Sequence, residues 1–216
     1  MKFFKYLIAL FIVISCDSAS KKATQPPNVI IIFTDDQGYG DLGSFGSMDI
    51  KTPNVDALGA DGATLTDFLV ASSTCSPSRA ALLTGAYPIR TGVVGVLWPE
   101  GHGFGGANGG KVGLHPNEVT TAEVLKANGY ATAMAGKWHL GSDFKSAEGS
   151  SIFRGSDKRV RPEQVDLKYL RGGGPLACGF DYGFTLPCGI QGPVYTAYQN
   201  GTWYPMGPSS RLVFFG

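Results

Sequence analysis

Three short stretches carry residue types that chemistry needs. In TCSPSRAALLTG, residues 74–85, Cys75 stands between Thr74 and Ser76, with Pro77 and Arg79 just beyond. The AALLTG that follows is an apolar run of helix formers closed by a glycine, so Cys75 sits where a loop enters a helix, a reactive position. Arg79 lies one helical turn on, close enough for its guanidinium to fold back toward the group at position 75. In DDQGYGD the adjacent Asp35 and Asp36 offer hard oxygen ligands suited to calcium or magnesium. In GKWHLG, Lys137 and His139 are two apart, which in an extended segment projects a cation and an acid–base group to the same side.

Each of these residues, taken alone, has a plainer reading. Cys75 alone reads as a small buried hydrophobe ahead of a helix. The two aspartates alone read as a turn and a helix cap, bonded to backbone amides. Arg79 alone is a solvated first-turn arginine, and His139 alone a satisfied structural histidine at a strand end. Only their combination along one chain favours chemistry.

The elements that must position them follow from local pattern. NVIIIFT, residues 28–34, is a continuous β-branched and aromatic run, which predicts a central parallel strand buried on both faces with Asp35 and Asp36 at its carboxyl end. In open α/β sheets ligands gather at that edge. TPNVDALGADGA predicts a short helix with Pro53 in its first turn, and residues 63–70 a further strand. The glycine-rich span from Tyr87 to Pro116 predicts a long ordered loop, with His102 and His115 as solvated loop residues. TTAEVLKAN, residues 120–128, has a threonine cap and an Asn-Gly stop and predicts a helix. YATAMAG then predicts a strand delivering Lys137, Trp138 and His139 to a strand end. Residues 141–178 read as a polar insertion, and the aromatic stretch from Cys178 as loop. Strand, helix, strand alternation indicates an α/β fold.

The bulk numbers bound the partners. The chain has 216 residues, 43% hydrophobic and 16% charged, enough to bury a core. Eighteen Lys and Arg against 17 Asp and Glu leave a formal charge of +1, which argues against a broad electrostatic grip on nucleic acid or on a membrane surface and for a discrete ligand. MKFFKYLIALFIVISC, residues 1–16, pairs Lys2 and Lys5 with an apolar run, the layout of an export signal and too short to span a bilayer. Its VISC ending resembles a bacterial lipobox, in which Cys16 becomes the lipid-bearing first residue; a plain signal peptide cut nearby is the alternative. Residues 17–27 have the composition of a tether. The expected location is therefore periplasmic or cell-surface, with membrane contact only through a lipid anchor. Cys178 and Cys188 lie in a glycine-rich loop where oxidation could join them, although spacing alone does not establish a bridge.

The strand followed by DDQGYGD, then CSPSRAALLTG, then GKWHLG resemble, in the same order, the type I sulfatases of the alkaline-phosphatase-like superfamily. The resemblance runs from about Pro27 to Gly141, with a weaker echo at GFDYGF, and the C-x-P-S-R core is its most specific part. It implies an alkaline-phosphatase-like sandwich with a central, mostly parallel sheet flanked by helices. It also implies that a separate maturation enzyme oxidises Cys75 to formylglycine, an aldehyde that hydrates to a geminal diol. A thiol attacking sulfate would leave a stable thiosulfate ester, whereas a diol carries a second hydroxyl whose proton loss expels sulfate. By the same resemblance Asp35, Asp36 and the modified Cys75 ligate a divalent cation, Ca²⁺ or alternatively Mg²⁺. Arg79 supports the nucleophile, Lys137 contacts the sulfate, and His139 bonds the diol and takes part in proton removal. The implied substrate is a sulfated small molecule or polysaccharide. A phosphonate monoester hydrolase or phosphodiesterase of the same superfamily is one alternative, and a non-catalytic relic that binds sulfated ligands is another.

The chain departs from the family pattern in places. Ala86 follows LLTG where a basic residue is usual, and LPCGIQGP stands where many relatives supply a sulfate-binding serine. The remaining aspartate and asparagine metal ligands, a second histidine and a second lysine have no matching segment before Gly216. The chain is therefore expected to be the N-terminal part of a longer enzyme, residues 28–216 belonging to its catalytic domain, and to be inactive and poorly folded by itself.

Overall fold

The structure is a computed structural model, and it describes residues 25–97, 113–115, 117–146, 152–153, 165–186 and 197–204. The export signal with Cys16, most of the tether, His102 and Cys188 lie outside the described residues. The chain divides into two compact units, one ending at Asp56 and one beginning at Ala57.

In the first unit, Tyr39–Asp41 and Gly43–Phe45 form two 3₁₀ turns. The Asp56 carboxylate organises them. It accepts the Ser44 N–H at 2.8 Å and the Thr52 hydroxyl at 3.0 Å, while Thr52 Oγ1 accepts the Gly43 N–H at 2.8 Å. A Cβ at Gly43 would run into that carboxylate and displace it from these bonds. Tyr39 stacks on Phe45, with centroids 4.2 Å apart. Helix α1, Pro53–Asp61, starts at the expected proline.

The strand expected over residues 28–34 is not formed. The run belongs to none of the described sheets, and Ile30 and Ile32 are 84% and 77% exposed. β-branched residues favour an extended backbone, but a strand requires partners that satisfy its N–H and C=O groups, and no described strand pairs here. Residues 63–70 are likewise irregular and exposed, with no ladder.

The second unit carries the packed part of the chain. Helices α2, Cys75–Thr84, and α3, Pro88–Thr91, precede α4, Thr121–Ala127. Strand β1, Ala133–Lys137, is followed by β2, Ser142–Ser146, β3, Ile152–Phe153, and β4, Val165–Gly173. A short α5, Gly174–Ala177, leads to β5, Tyr182–Leu186, then β6, Tyr198–Gln199, and β7, Thr202–Trp203. One sheet has the order β1-β5-β6-β7, with β1 and β5 parallel from Ala133↔Tyr182 to Lys137↔Leu186 and the outer pairs antiparallel. The other sheet, β3-β2-β4, is antiparallel. The stretch read as a polar insertion therefore holds a sheet of its own.

The aromatic stretch read as loop contains β5. In it Gly183 and Thr185 point inward while Tyr182, Phe184 and Leu186 point outward, the reverse of the usual apolar-in pattern. The inward glycine is a packing device, since a Cβ there would come within 3.1 Å of Pro175 Cγ.

Helix α4 matches its sequence signals closely. Thr120 and Glu123 form a capping box: Thr120 Oγ1 accepts the Glu123 N–H at 3.2 Å and Glu123 Oε2 accepts the Thr120 N–H at 2.8 Å. The Thr120 hydroxyl donates onward to the Cys178 carbonyl at 2.7 Å. Gly179, at φ +90°, lies against the Glu123 backbone, where a Cβ would clash. Cys178 is a free thiol, and burial, aided by the Glu123 carboxylate, pushes it up to about 11. At neutral pH it stays protonated and unreactive.

Asp181 ties the loop before β5 to α4 and to the residue before β1. It pairs with Lys126 at 2.7 Å and accepts both the N–H and the hydroxyl of Thr132 at 3.0 Å. The Lys126 partner first, and the Thr132 bonds after it, lower the Asp181 carboxyl to about 2. A folded-state value below the unfolded one means stability present above the ordinary carboxylate range and lost as pH falls toward 2. Asp181→Asn is therefore expected to reduce the acid sensitivity of folding in that window, with a small effect because the pair is solvent-exposed. Acid titrations of both forms followed by circular dichroism check this, and superimposable curves would refute it.

Candidate active site

The Cys75 position is built by α2. Thr74 caps the helix in an extended conformation, Cys75 is its first residue, and the Ser78 N–H reaches back to the Thr74 carbonyl at 3.2 Å. Gly85, at φ +66°, closes the helix in the left-handed conformation expected of a terminal glycine. Cys75 is half-buried, whereas Ser76, Pro77, Ser78, Arg79 and Ala80 are all buried. The turn that carries the cysteine is thus anchored in the protein and presents only its first residue toward solvent.

The anchoring contacts lead to GKWHLG. Arg79 Nη1 donates to the Lys137 carbonyl at 2.7 Å, so the arginine grips the backbone of the residue expected to contact an anion. The sequence leads one to expect it to fold toward residue 75; this bond holds the end of β1. Beyond Lys137, the Trp138 N–H extends the parallel pairing to the Leu186 carbonyl at 2.8 Å, and the Trp138 indole N–H donates to the Gly141 carbonyl at 2.8 Å. Trp138, at 1% exposure, packs with Ala80, Val93, Leu97 and Leu140 in the core. Lys137 is half-buried and His139 is buried.

His139 has φ +55°, a conformation that costs a non-glycine residue on the order of 1 kcal/mol or more. Its ring Nε2 lies 2.7 Å from the Leu97 carbonyl. A carbonyl oxygen only accepts, so Nε2 carries a proton. Among the described non-glycine residues, positive φ is found at Asp36 (53°), His139 and Asn200 (50°). Two of these three are residues the sequence marks for chemistry, and stored backbone strain of this kind collects at functional sites.

Asp35 and Asp36 lie in the first unit, both exposed, at a bend. The donor chemistry suits a hard cation: two adjacent carboxylates at a bend directly after NVIIIFT. Two side chains do not complete a calcium shell of roughly six to eight oxygens.

Sequence reading did not anticipate Ser76 or Leu97. Ser76 Oγ accepts the Leu97 N–H at 3.0 Å, which links the residue after Cys75 to the residue bonded to His139. The only signal was a hydroxyl residue inside the motif. Its partner is a backbone group in an aperiodic stretch, where side-chain pattern carries no information. His115, expected to be solvated, is half-buried, and its Nδ1 accepts the Asn117 N–H at 3.1 Å.

The chain is similar to several known proteins. The chain is 54% identical to bovine arylsulfatase A over 125 residues, covering 57% of this chain and 23% of that protein. It is 38% identical to rat steryl-sulfatase over 202 residues, covering 87% of this chain and 33% of that protein. A solved structure from work on the metabolism of multiple glycosaminoglycans by Bacteroides thetaiotaomicron superposes with a TM-score of 0.65 at 30% identity, covering 86% of this chain and 33% of that one. The crystal structure of Ps i-CgsB superposes with a TM-score of 0.56 at 29% identity, covering 83% and 37%. The chain therefore spans about a third or less of the length of these curated relatives. The α/β, alkaline-phosphatase-like architecture is the one these neighbours share. The Sulfatase family model matches residues 27–185, a range that holds Asp35, Asp36, Cys75, Arg79, Lys137 and His139, and the chain belongs to that family.

Proposed function

We propose that the complete protein hydrolyses sulfate esters, with a formylglycine made from Cys75 as nucleophile and a divalent cation held by Asp35, Asp36 and that residue. Membership of the sulfatase family supports the reaction class. The single observation that carries the residue assignment is the helix start: Cys75 stands half-exposed on a turn whose next five residues are buried.

Each residue has a task. Residue 75, once hydrated, supplies two hydroxyls. One loses its proton and attacks sulfur as the S–O bond to the alcohol breaks and the alcohol leaves protonated. The other loses its proton as the C–O bond to sulfate breaks, which releases sulfate and restores the aldehyde. A bound Ca²⁺ or Mg²⁺ supplies charge stabilisation for the sulfate oxygens. Lys137 neutralises the sulfate, Arg79 fixes the Lys137 backbone, and His139 moves a proton at Nδ1. The substrate is a sulfated carbohydrate or a small aryl sulfate. The structural neighbours include Ps i-CgsB in complex with k-i-k-neocarrahexaose, which supports the carbohydrate arm.

The test uses the complete gene product, matured in a host with a formylglycine-generating enzyme. Turnover of an aryl sulfate is expected, lost on chelation and restored by calcium or magnesium. Faster turnover of the matched phosphate ester would overturn the sulfatase reading in favour of a phosphodiesterase. An unmodified Cys75 peptide with no turnover would favour a ligand-binding relic.

The same proposal places residues 1–16 as a lipoprotein signal, 17–27 as a tether and 28–216 in the catalytic domain, with the enzyme in the periplasm or at the cell surface. Cys16→Ser is expected to abolish incorporation of labelled fatty acid, and incorporation that persists would refute the anchor.

A further inference from the structure

We infer that Ser76 is a positioning residue that sets the tautomer of His139 through the Leu97 peptide. Three observations join. Ser76 is fully buried and its Oγ accepts the Leu97 N–H at 3.0 Å. The same residue's carbonyl accepts from His139 Nε2 at 2.7 Å. Leu97 and His139 are themselves buried, at 7% and 3% exposure, so water does not compete readily for either bond.

The chain of bonds has a direction. The Leu97 N–H and C=O belong to two successive peptide planes that meet at its Cα, so the Ser76 bond holds the first plane and the His139 bond the second. Fixing the first plane removes part of the freedom with which the carbonyl could swing away from the imidazole. The carbonyl then requires a proton on Nε2 and leaves Nδ1 as the working nitrogen. A helix start thereby specifies the protonation pattern of a histidine 63 positions away, counting from Ser76 to His139. Leu97 lies outside every described helix and strand, so among the described residues no ladder holds it and the Ser76 bond is its backbone anchor.

The inference rests on the sulfatase reading for what His139 does in turnover, while the bonds from Ser76 to His139 stand on geometry alone. The experiment separates the two. In the complete, matured protein, ¹⁵N spectra of labelled histidine are expected to show His139 with a protonated Nε2 and a lone pair on Nδ1. Ser76→Ala is expected to give a mixture of tautomers and to lower kcat about tenfold per formylglycine, with KM unchanged. Ser76→Thr, which keeps the hydroxyl, is expected to restore both. Activity is normalised to the aldehyde content found by mass spectrometry of the residue 75 peptide, which removes any effect on maturation.

A wild-type His139 protonated at Nδ1 and bare at Nε2 would overturn the inference without any variant. So would an unchanged His139 spectrum and kcat in a folded Ser76→Ala protein. Should the wild type carry formylglycine yet hydrolyse no sulfate ester, the functional reading falls, while the spectra still decide the link from Ser76 to His139.

Discussion

Cys75→Ala in the complete enzyme is expected to reduce kcat by about 10⁴-fold or more, because it removes the group on which every later step depends. Folding should barely change. Cys75 is half-buried, makes up one helix position, and gives way to a better helix former, so a stability change within about 1 kcal/mol is expected. Cys75→Ser is a sharper test. It offers one hydroxyl and no second one to drive sulfate out, so a burst of at most one equivalent followed by arrest is expected. Rapid-quench measurement of product against enzyme concentration reads this directly, and sustained turnover by either variant would refute the role of residue 75.

Arg79→Ala is expected to damage both stability and activity. Arg79 is 9% exposed and donates to the Lys137 carbonyl at 2.7 Å. Truncation removes that bond at the end of β1 and opens space beneath the helix start, a loss of about 2–3 kcal/mol. With Lys137 no longer held, kcat is expected to fall by at least about 100-fold. Arg79→Lys should recover part of the stability and little of the rate, since a lysine ammonium lacks the planar fork. Calorimetric melting and steady-state kinetics on the same preparations check the pair, and a variant with unchanged melting temperature and kcat would sink the argument.

Much of the site was legible because its residues follow strong local signals. The Cys75 helix has its cap, its alanine and leucine run and its terminal glycine in sequence order, and α4 has a complete capping box. Strand β1 was readable from the run that ends in Lys137. What sequence could not supply were contacts that join side chains to distant backbone. Neither the Arg79 bond to Lys137 nor the Ser76 bond to Leu97 leaves a trace in composition, since any residue at the acceptor position offers the same peptide.

The misreadings have physical causes too. NVIIIFT has strong β preference, but preference does not supply partners, and among the described sheets it has none. Strand β5 escaped because its inward positions are Gly183 and Thr185, small residues that a hydrophobic pattern search treats as surface. The second sheet lies in a polar stretch whose strands alternate weakly, with register shifts around Phe144.

The parallel pairing of Lys137 with Leu186, extended by the Trp138 amide, also has a consequence during synthesis. A ribosome that has delivered GKWHLG into the open must add dozens more residues before the strand completing that edge emerges. Until then, Trp138 lacks its backbone acceptor, and the loop bearing His139 is held from one side only. Such non-local closure is slow and leaves apolar surface uncovered in the nascent chain. A stall introduced ahead of codon 186 should therefore yield a nascent chain that proteases cut near residue 138, whereas a stall placed well beyond it should not.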